Sequence, residues 1–168
     1  MADKKTVERA RRDLREGKRP STAAGEFVHK EIEDIRSGRH GARSTRQAIA
    51  IGLSEARRAG IPLPPPRKGR TSEKTRQSAE LAYETGQGKR KPRAPSRRRS
   101  LATLRALKRE SGKAASPGAL SRQARSAAAT RSRAARSAQA RKAAATRRRR
   151  TGRNVRHTYR TKGGRTRS

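Results

Sequence analysis

The side chains best suited to a chemical task are arginines and lysines, and they concentrate in Ser111–Ser168, a segment called the tail from here on. Its 58 residues contain 18 Lys and Arg and no Asp or Glu. Between the charges lie mainly Ala, Ser, Thr and Gly, which offer little apolar surface for a core. Each cation that meets a phosphate releases counterions from a nucleic acid, which favours binding. The tail therefore indicates a nucleic-acid-binding segment.

The rest of the composition points the same way. The chain carries a formal net charge of +35, of which residues 1–60 hold +6 and residues 61–168 hold +29. Hydrophobic residues make up only 29% and aromatic residues 2%, so one large globular domain is not expected. There is no Cys, no glycine-rich phosphate loop and no metal-ligand spacing among the three His residues. We therefore expect no enzyme, no cofactor, no metal site and no small-molecule substrate.

The basic residues expected to contact phosphates fall in the segment after residue 61 and in the tail. They are Arg67, Lys68, Arg70, Lys89, Arg90, Lys91, Arg93, Arg97, Arg98, Arg99, Arg122, Arg125, Arg133, Arg136, Arg147, Arg148, Arg149 and Arg150. Arg outnumbers Lys in the tail, which favours bidentate phosphate contacts and minor-groove insertion. Two stretches, 67–70 and 88–93, resemble an AT-hook, whose Arg-Gly-Arg-Pro core lies extended in a narrow A·T minor groove. The first lacks the Pro after its Arg, and the second lacks the central Gly. A basic linker composition explains both stretches as well.

The tail also contains an internal repeat. Ser121–Ala127 recurs as Ser132–Ala138, an offset of 11 residues or three helical turns. On one continuous helix the arginines of both copies would share a side, with alanines opposite. Ala favours the helix, whereas repulsion between arginines opposes it. This pattern predicts a coil in the free protein and a partial helix from about Leu120 to Arg147 when phosphates are bound.

The N-terminal third has apolar residues at helical spacing. We expect helices over Thr6–Glu16, Ala23–Ser37 and Ser44–Gly60, the second capped by Ser21 or Thr22. The third begins with a capping box, in which the Ser44 oxygen accepts from the Gln47 N–H and the Gln47 side chain reaches back. The predicted core is Val7, Leu14, Phe27, Val28, Ile32, Ile35, Ile49 and Leu53, with Ile61 and Leu63 as further candidates. The acidic residues of the second helix, Glu26, Glu31, Glu33 and Asp34, are expected mostly to face outward.

The chain is therefore expected to be mainly α, with a small three-helix N-terminal unit followed by a largely disordered, Arg/Ala-rich basic tail with conditional helices. Residues 1–61 form the predicted helical domain. Residues 62–99 form a Pro-rich basic linker with a weak helix near 73–85. Residues 100–168 complete the basic part, disordered or helical on binding.

A resemblance rests on the third predicted helix. Gln47–Ala56 reads Gln-Ala-Ile-Ala-Ile-Gly-Leu-Ser-Glu-Ala, after a Phe-containing helix with Phe27 and a loop with Gly38 and Gly41. It resembles small, basic bacterial proteins of uncharacterised function that are often labelled histone-like or DNA-binding. The likeness covers about 35 of 168 residues. It implies a bacterial source and DNA binding, without a mechanism. The tail is separately similar in composition to linker-histone tails.

These observations favour sequence-tolerant nucleic-acid binding, most simply histone-like binding of nucleoid DNA with compaction or bridging. Duplex DNA is the expected partner in preference to RNA, in the cytoplasm and associated with the nucleoid. No window of the chain approaches the ~20 apolar residues of a membrane span, so no membrane partner is expected. Two alternatives remain open. One is an RNA- or ribosome-associated basic protein. The other is a regulatory head, residues 1–61, that self-associates or binds a protein and is localised by the tail.

Overall fold

The protein is mainly α-helical in a computed structural model that describes the backbone of residues 3–92, 94 and 96–162 and the side chains of these positions up to 148. The elements are α1 (Lys4–Arg15), α2 (Pro20–Arg36), α3 (Thr45–Arg58), α4 (Glu73–Gly86), α5 (Arg97–Arg109), the 3-10 helix η1 (Gly112–Ala115), α6 (Pro117–Ala129) and α7 (Arg133–Lys162). No strand occurs within these ranges. Residues 1–123 form one compact unit and the chain from Ala124 onward forms a second.

The helix starts follow local capping chemistry. The Ser44 Oγ accepts a hydrogen bond from the Gln47 N–H at 3.2 Å, so this half of the predicted capping box is confirmed. The Gln47 Oε1 does reach back, accepting from the Arg43 N–H at 2.9 Å. The predicted start of α2 is wrong. The helix begins at Pro20 after an extended Arg19, because proline has no N–H to lose and its φ already suits the first helical position.

The core of the first unit consists of two clusters dominated by alanine. The first joins α1, α2 and the end of α3 through Ala10, Ala23, Ala24, Phe27, Ala56 and Ile61. The second joins α2, the start of α3 and η1 through Ile32, Ile35, Ala42, Ala48, Ala114 and Ala115. Burial of Phe27, Ile32, Ile35 and Ile61 is confirmed. Val7, Leu14, Val28, Leu53 and Leu63 pack partly buried against these clusters.

Helix α4 confirms the helix predicted near 73–85 and packs on α3. It buries Ala79 and Ala82. A Cβ on Gly86 would lie 1.8 Å from the carbonyl oxygen of Arg57, so the ends of α3 and α4 approach at a distance that only glycine allows. The Gln87 amide donates to the Gly60 oxygen at 3.2 Å. Helix α4 therefore belongs to the first compact unit.

The chain after α5 returns to the head. The Gly41 N–H donates to the Leu107 oxygen at 2.8 Å, next to the C-terminal end of α5. The Thr45 hydroxyl donates to the Ala114 oxygen at 2.7 Å and the Arg36 Nε to the Ala115 oxygen at 3.0 Å. These bonds attach η1 to α2 and α3. No residue of α5 itself is buried.

The two copies of the tail repeat lie on different helices. Helix α6 ends at Ala129, and α7 begins at Arg133 with Ser132 accepting from the Ala135 N–H at 3.2 Å. A Ser132 cap starts a new helix at the first residue of the second copy. The helix predicted from about Leu120 to Arg147 when phosphates are bound stays a prediction. The predicted disorder of the free tail is not confirmed and stays a prediction. No helix in the described part of the chain combines the length and apolarity needed to cross a bilayer.

The crossing of α2 and α3 depends on a glycine. A Cβ built on Gly52 would lie 2.8 Å from the Val28 Cα and 3.0 Å from the Phe27 carbonyl carbon. Both are backbone atoms, which cannot turn aside as a flexible side chain can. The two helices therefore pack with backbone nearly against backbone, and the alanines around them fill the space left by that close approach.

We expect Gly52→Leu to lower the free energy of unfolding by about 1–3 kcal/mol or more, because the added side chain forces α2 and α3 apart. Urea unfolding followed by circular dichroism measures this. The matched control is Gly25→Leu, at a position in α2 where a Cβ meets nothing within 4 Å. That change should leave stability unchanged or raise it by about 0.5–1 kcal/mol through helix propensity. Equal effects at both glycines would contradict the close crossing.

Candidate nucleic-acid interface

Carboxylates neutralise part of the positive charge in the first unit. Arg76 pairs with Glu73 at 2.7 Å and with Glu80 at 3.1 Å. Asp34 pairs with both Lys30 and Arg39. Beyond Glu110 the sequence has no acid, so no such pairing with an acidic side chain of the tail itself can form. The positive potential is therefore concentrated in the tail.

Helix α7 carries the densest group of predicted phosphate contacts. It has 30 residues, which at ~1.5 Å per residue gives a rod of about 45 Å, longer than the ~34 Å of one duplex turn. Every described side chain from Arg133 to Arg148 is exposed. The predicted residues Arg133, Arg136, Arg147 and Arg148 lie on this exposed stretch. Arg149 and Arg150 also lie in α7, and their side chains fall outside the described residues.

The remaining predicted tail contacts lie on α6. Arg122 and Arg125 are both exposed and three residues apart on that helix. Gln123 between them is half-buried, and its Oε1 accepts from the Arg46 Nε at 3.3 Å.

The two AT-hook-like stretches both contain turns in the structure. The Arg70 N–H donates to the Arg67 oxygen at 3.1 Å across Gly69, whose φ is 81°. In the second stretch the Lys89 N–H donates to the Glu84 oxygen at 2.9 Å, so Gly88 and Lys89 terminate α4. An extended, groove-bound form would require both turns to open.

The side chains of these two stretches are exposed wherever they are described. They include Arg67, Lys68, Arg70, Lys89, Arg90 and Lys91. Arg90 lies 4.0 Å from the Glu84 carboxylate, the limit of an ion pair. Arg93 lies outside the described residues.

Arg97, Arg98 and Arg99 form the first turn of α5. All three are exposed, and Ser96 gives no side-chain cap to the helix. Cations at a helix N-terminus oppose the positive end of the helix dipole, which costs about 0.3–1 kcal/mol each at an exposed site. A phosphate placed here would offset that repulsion.

One buried polar residue that the sequence did not predict is an acid on α2. Glu31 is only 4% exposed, so its predicted outward orientation is wrong. Its Oε2 lies 3.7 Å from the His40 Nε2, and its Oε1 has no hydrogen-bond partner within the described residues. Removal from water raises the pKa of Glu31, and the neighbouring His40 partly opposes that shift. Glu33 on the same helix is exposed, as predicted.

The His40 ring lies between Glu31 and the loop that follows α2. Its Nδ1 is 3.2 Å from the Gly41 oxygen, and its Nε2 faces the Glu31 carboxylate. The same Gly41 anchors the end of α5 through its N–H. Glu31 and His40 therefore lie beside the loop that holds α5.

We expect Glu31→Gln to change the pH dependence of stability. The pKa of Glu31 is raised from 4.5, so the folded state holds this proton more tightly than the unfolded state does. The stability that results is fully present below about pH 4.5 and is lost as pH rises through the raised pKa. Wild type should therefore lose stability relative to Glu31→Gln as pH rises above that value.

Thermal unfolding across that pH range measures the difference between the two proteins. The matched control is Glu33→Gln, an exposed acid on the same helix, which should track wild type. If the stability difference between wild type and Glu31→Gln stays constant with pH, burial does not raise the pKa of this carboxyl.

The acidic and histidine side chains offer no metal centre in the described part of the chain, where no three of them cluster. The chemistry available to the described surface is therefore contact between exposed guanidinium and ammonium groups and an anionic partner.

Comparison with known protein families gives a match within the first unit. Residues 17–68 match a family of unknown function, DUF6496, over less than a third of the chain. Neither the curated proteins nor the solved structures provide a match. The matched segment spans α2, α3 and the Pro-rich stretch, and it includes the residues on which the likeness to basic bacterial proteins rests. That likeness stays a prediction, because the matching family carries no function.

Proposed function

We propose that this protein binds nucleic acid, duplex DNA in preference to RNA, by neutralising phosphates with little dependence on sequence. The observation that carries the proposal is the exposed basic stretch of α7, in a segment with no acid after Glu110. A rod of about 45 Å is longer than one turn of a duplex measured along its axis. Each phosphate neutralised on B-DNA adds counterion release to the affinity.

The two compact units have different roles in this proposal. The first has its own core and a partly neutralised surface, which suits a fixed platform. The second supplies the basic helix. A chain with one platform and one polycationic arm could compact or bridge DNA, as expected of a histone-like protein of the bacterial nucleoid. Arg chemistry favours bidentate phosphate contacts and insertion into a narrow minor groove over attraction by diffuse charge alone.

We expect four substitutions on α7 to reduce the salt dependence of DNA binding. Arg133, Arg136, Arg141 and Lys142 are all exposed, and each would be replaced with Gln. If all four contact phosphates, the slope of log K against log salt becomes shallower by about 3–4, at ~0.9 per phosphate. Fluorescence anisotropy of a labelled duplex with the full chain, over a range of salt, measures the slope.

The matched control removes the same charge from the head. Lys4, Lys5, Arg11 and Arg12 are exposed residues in α1, and each would also be replaced with Gln. This variant should change the slope by less than about 1, because only long-range charge is lost. If the slope of log K against log salt becomes shallower by the same amount in the α1 and α7 variants, binding depends on net charge and α7 is not the interface.

Competition separates the proposed partner from the alternatives. Unlabelled duplex DNA should displace the labelled duplex at a lower concentration than structured RNA at the same salt. The reverse order would favour the RNA- or ribosome-associated alternative. Recovery of a specific protein with the full chain, unchanged by the α7 substitutions, would favour a protein-binding head.

We also expect duplex DNA to stabilise the tail helices. Alanines favour helix between residues 117 and 148, whereas neighbouring arginines repel one another until phosphates screen them. Circular dichroism should therefore show a gain in helical signal, or a higher melting temperature of that signal, when duplex is added at low salt. Unchanged helicity and unchanged melting at saturation would contradict helix formation coupled to binding.

A further inference from the structure

A pocket of about 310 Å³ lies between α3 and α4 in the first unit. This volume is at the lower end of the range for small-molecule sites. The wall formed by α3 follows one helix face: Arg46, Ile49, Ala50, Leu53, Ser54 and Arg57. From Arg46 to Arg57 that face runs about 16 Å at ~1.5 Å per residue. Thr75, Ser78 and Ala79 line the pocket from α4.

One end of this wall holds a buried cation. Arg57 is only 7% exposed, and its Nε, Nη1 and Nη2 donate to the carbonyl oxygens of Leu63 at 3.2 Å, Leu53 at 3.4 Å and Pro64 at 3.4 Å. No carboxylate of the described residues forms an ion pair with it, and burial alone lowers its pKa. A buried charge without an opposite charge is costly, so an anion here would stabilise the site.

Arg57 also has donors to spare. A guanidinium carries five N–H groups, and the three carbonyl bonds use three of them. Two N–H groups remain, the number that a bidentate contact with a carboxylate requires.

The wall between the two arginines is mostly apolar. Ile49 and Leu53 are half-buried although both were predicted to belong to the core, and Ala79 opposite them is buried. Arg46 at the far end is exposed and bonds a neutral amide, the Gln123 side chain. The pocket thus combines a mostly apolar wall with a buried cation at one end.

We propose that this pocket binds a small aliphatic carboxylate, with the carboxylate on Arg57 and the alkyl chain along Ile49, Leu53 and Ala79. The apolar wall selects for a chain, and the buried guanidinium selects for negative charge over a neutral or positive head group. No lining residue of this pocket belongs to the proposed nucleic-acid interface on α7, so each can be tested without the other.

Titration of the full-length protein with decanoate, followed by the methyl NMR signals of Ile49 and Leu53, tests the proposal. Two ligands serve as controls: acetate has the charge without the chain, and decyltrimethylammonium has the chain with the opposite charge. We expect saturable methyl shifts with decanoate at concentrations where neither control shifts them. Equal shifts with the cationic ligand, or no shift with decanoate, would overturn the proposal.

Two variants locate the ligand. Arg57→Lys keeps the charge, loses the planar fork and should weaken binding about tenfold, whereas Arg58→Lys, at an exposed position on α3 outside the pocket, should bind as wild type. Ala50→Phe fills the pocket from an exposed position and should abolish binding with the fold intact. If Arg57→Lys fails to fold, Ala50→Phe decides. Wild-type affinity in Ala50→Phe would overturn the proposal.

Discussion

The close approach of α2 and α3 is the constraint on which the first unit depends. With only 29% hydrophobic residues and one Phe, the chain lacks the large side chains that usually fill the space between helices. Instead, the backbones of α2 and α3 approach closely at Gly52, and alanines pack around the crossing. A small residue buries little area by itself, so the stability of such a core depends on shape complementarity more than on bulk. The same device recurs at Gly41 and Gly86, where α5 and α4 meet the head.

An alanine-rich core with few large apolar residues leaves most of the sequence available for charged residues. Because the core requires so few apolar residues, arginines and lysines can occupy many surface positions without interrupting it. Acids are then used where they hold the head together, as in the pairs of Arg9 with Glu26 at 2.9 Å and of Lys18 with Asp13 at 2.6 Å. The tail has no such pairs to make within itself. Folding and the proposed nucleic-acid binding therefore depend on different parts of one chain.

The sequence predicted the helices of the head because their signals are local. Glycine stops, the Ser44 cap and helical spacing of apolar residues all act within a few positions. What it could not predict depends on distant residues. The sequence around Glu31 is typical of an exposed acid, because its burial depends on the distant loop with His40. The 62–99 segment has the composition of a linker, because its burial depends on Ala79 and Ala82 packing against α3. The break between α6 and α7 was missed because a periodic pattern does not reveal that Ser132 will act as a cap.

The attachment of η1 has a consequence for the order in which the first unit folds. The bonds from Thr45 to Ala114 and from Arg36 to Ala115 span 69 and 79 residues of sequence. Contacts this distant form late, because a long loop must close first. During synthesis, α1, α2 and α3 can therefore pack on their first cluster soon after they emerge, while the second cluster waits for more than fifty further residues. Until then Ile32 and Ile35 lack part of their cover, and the nascent chain presents an apolar patch that the finished protein hides.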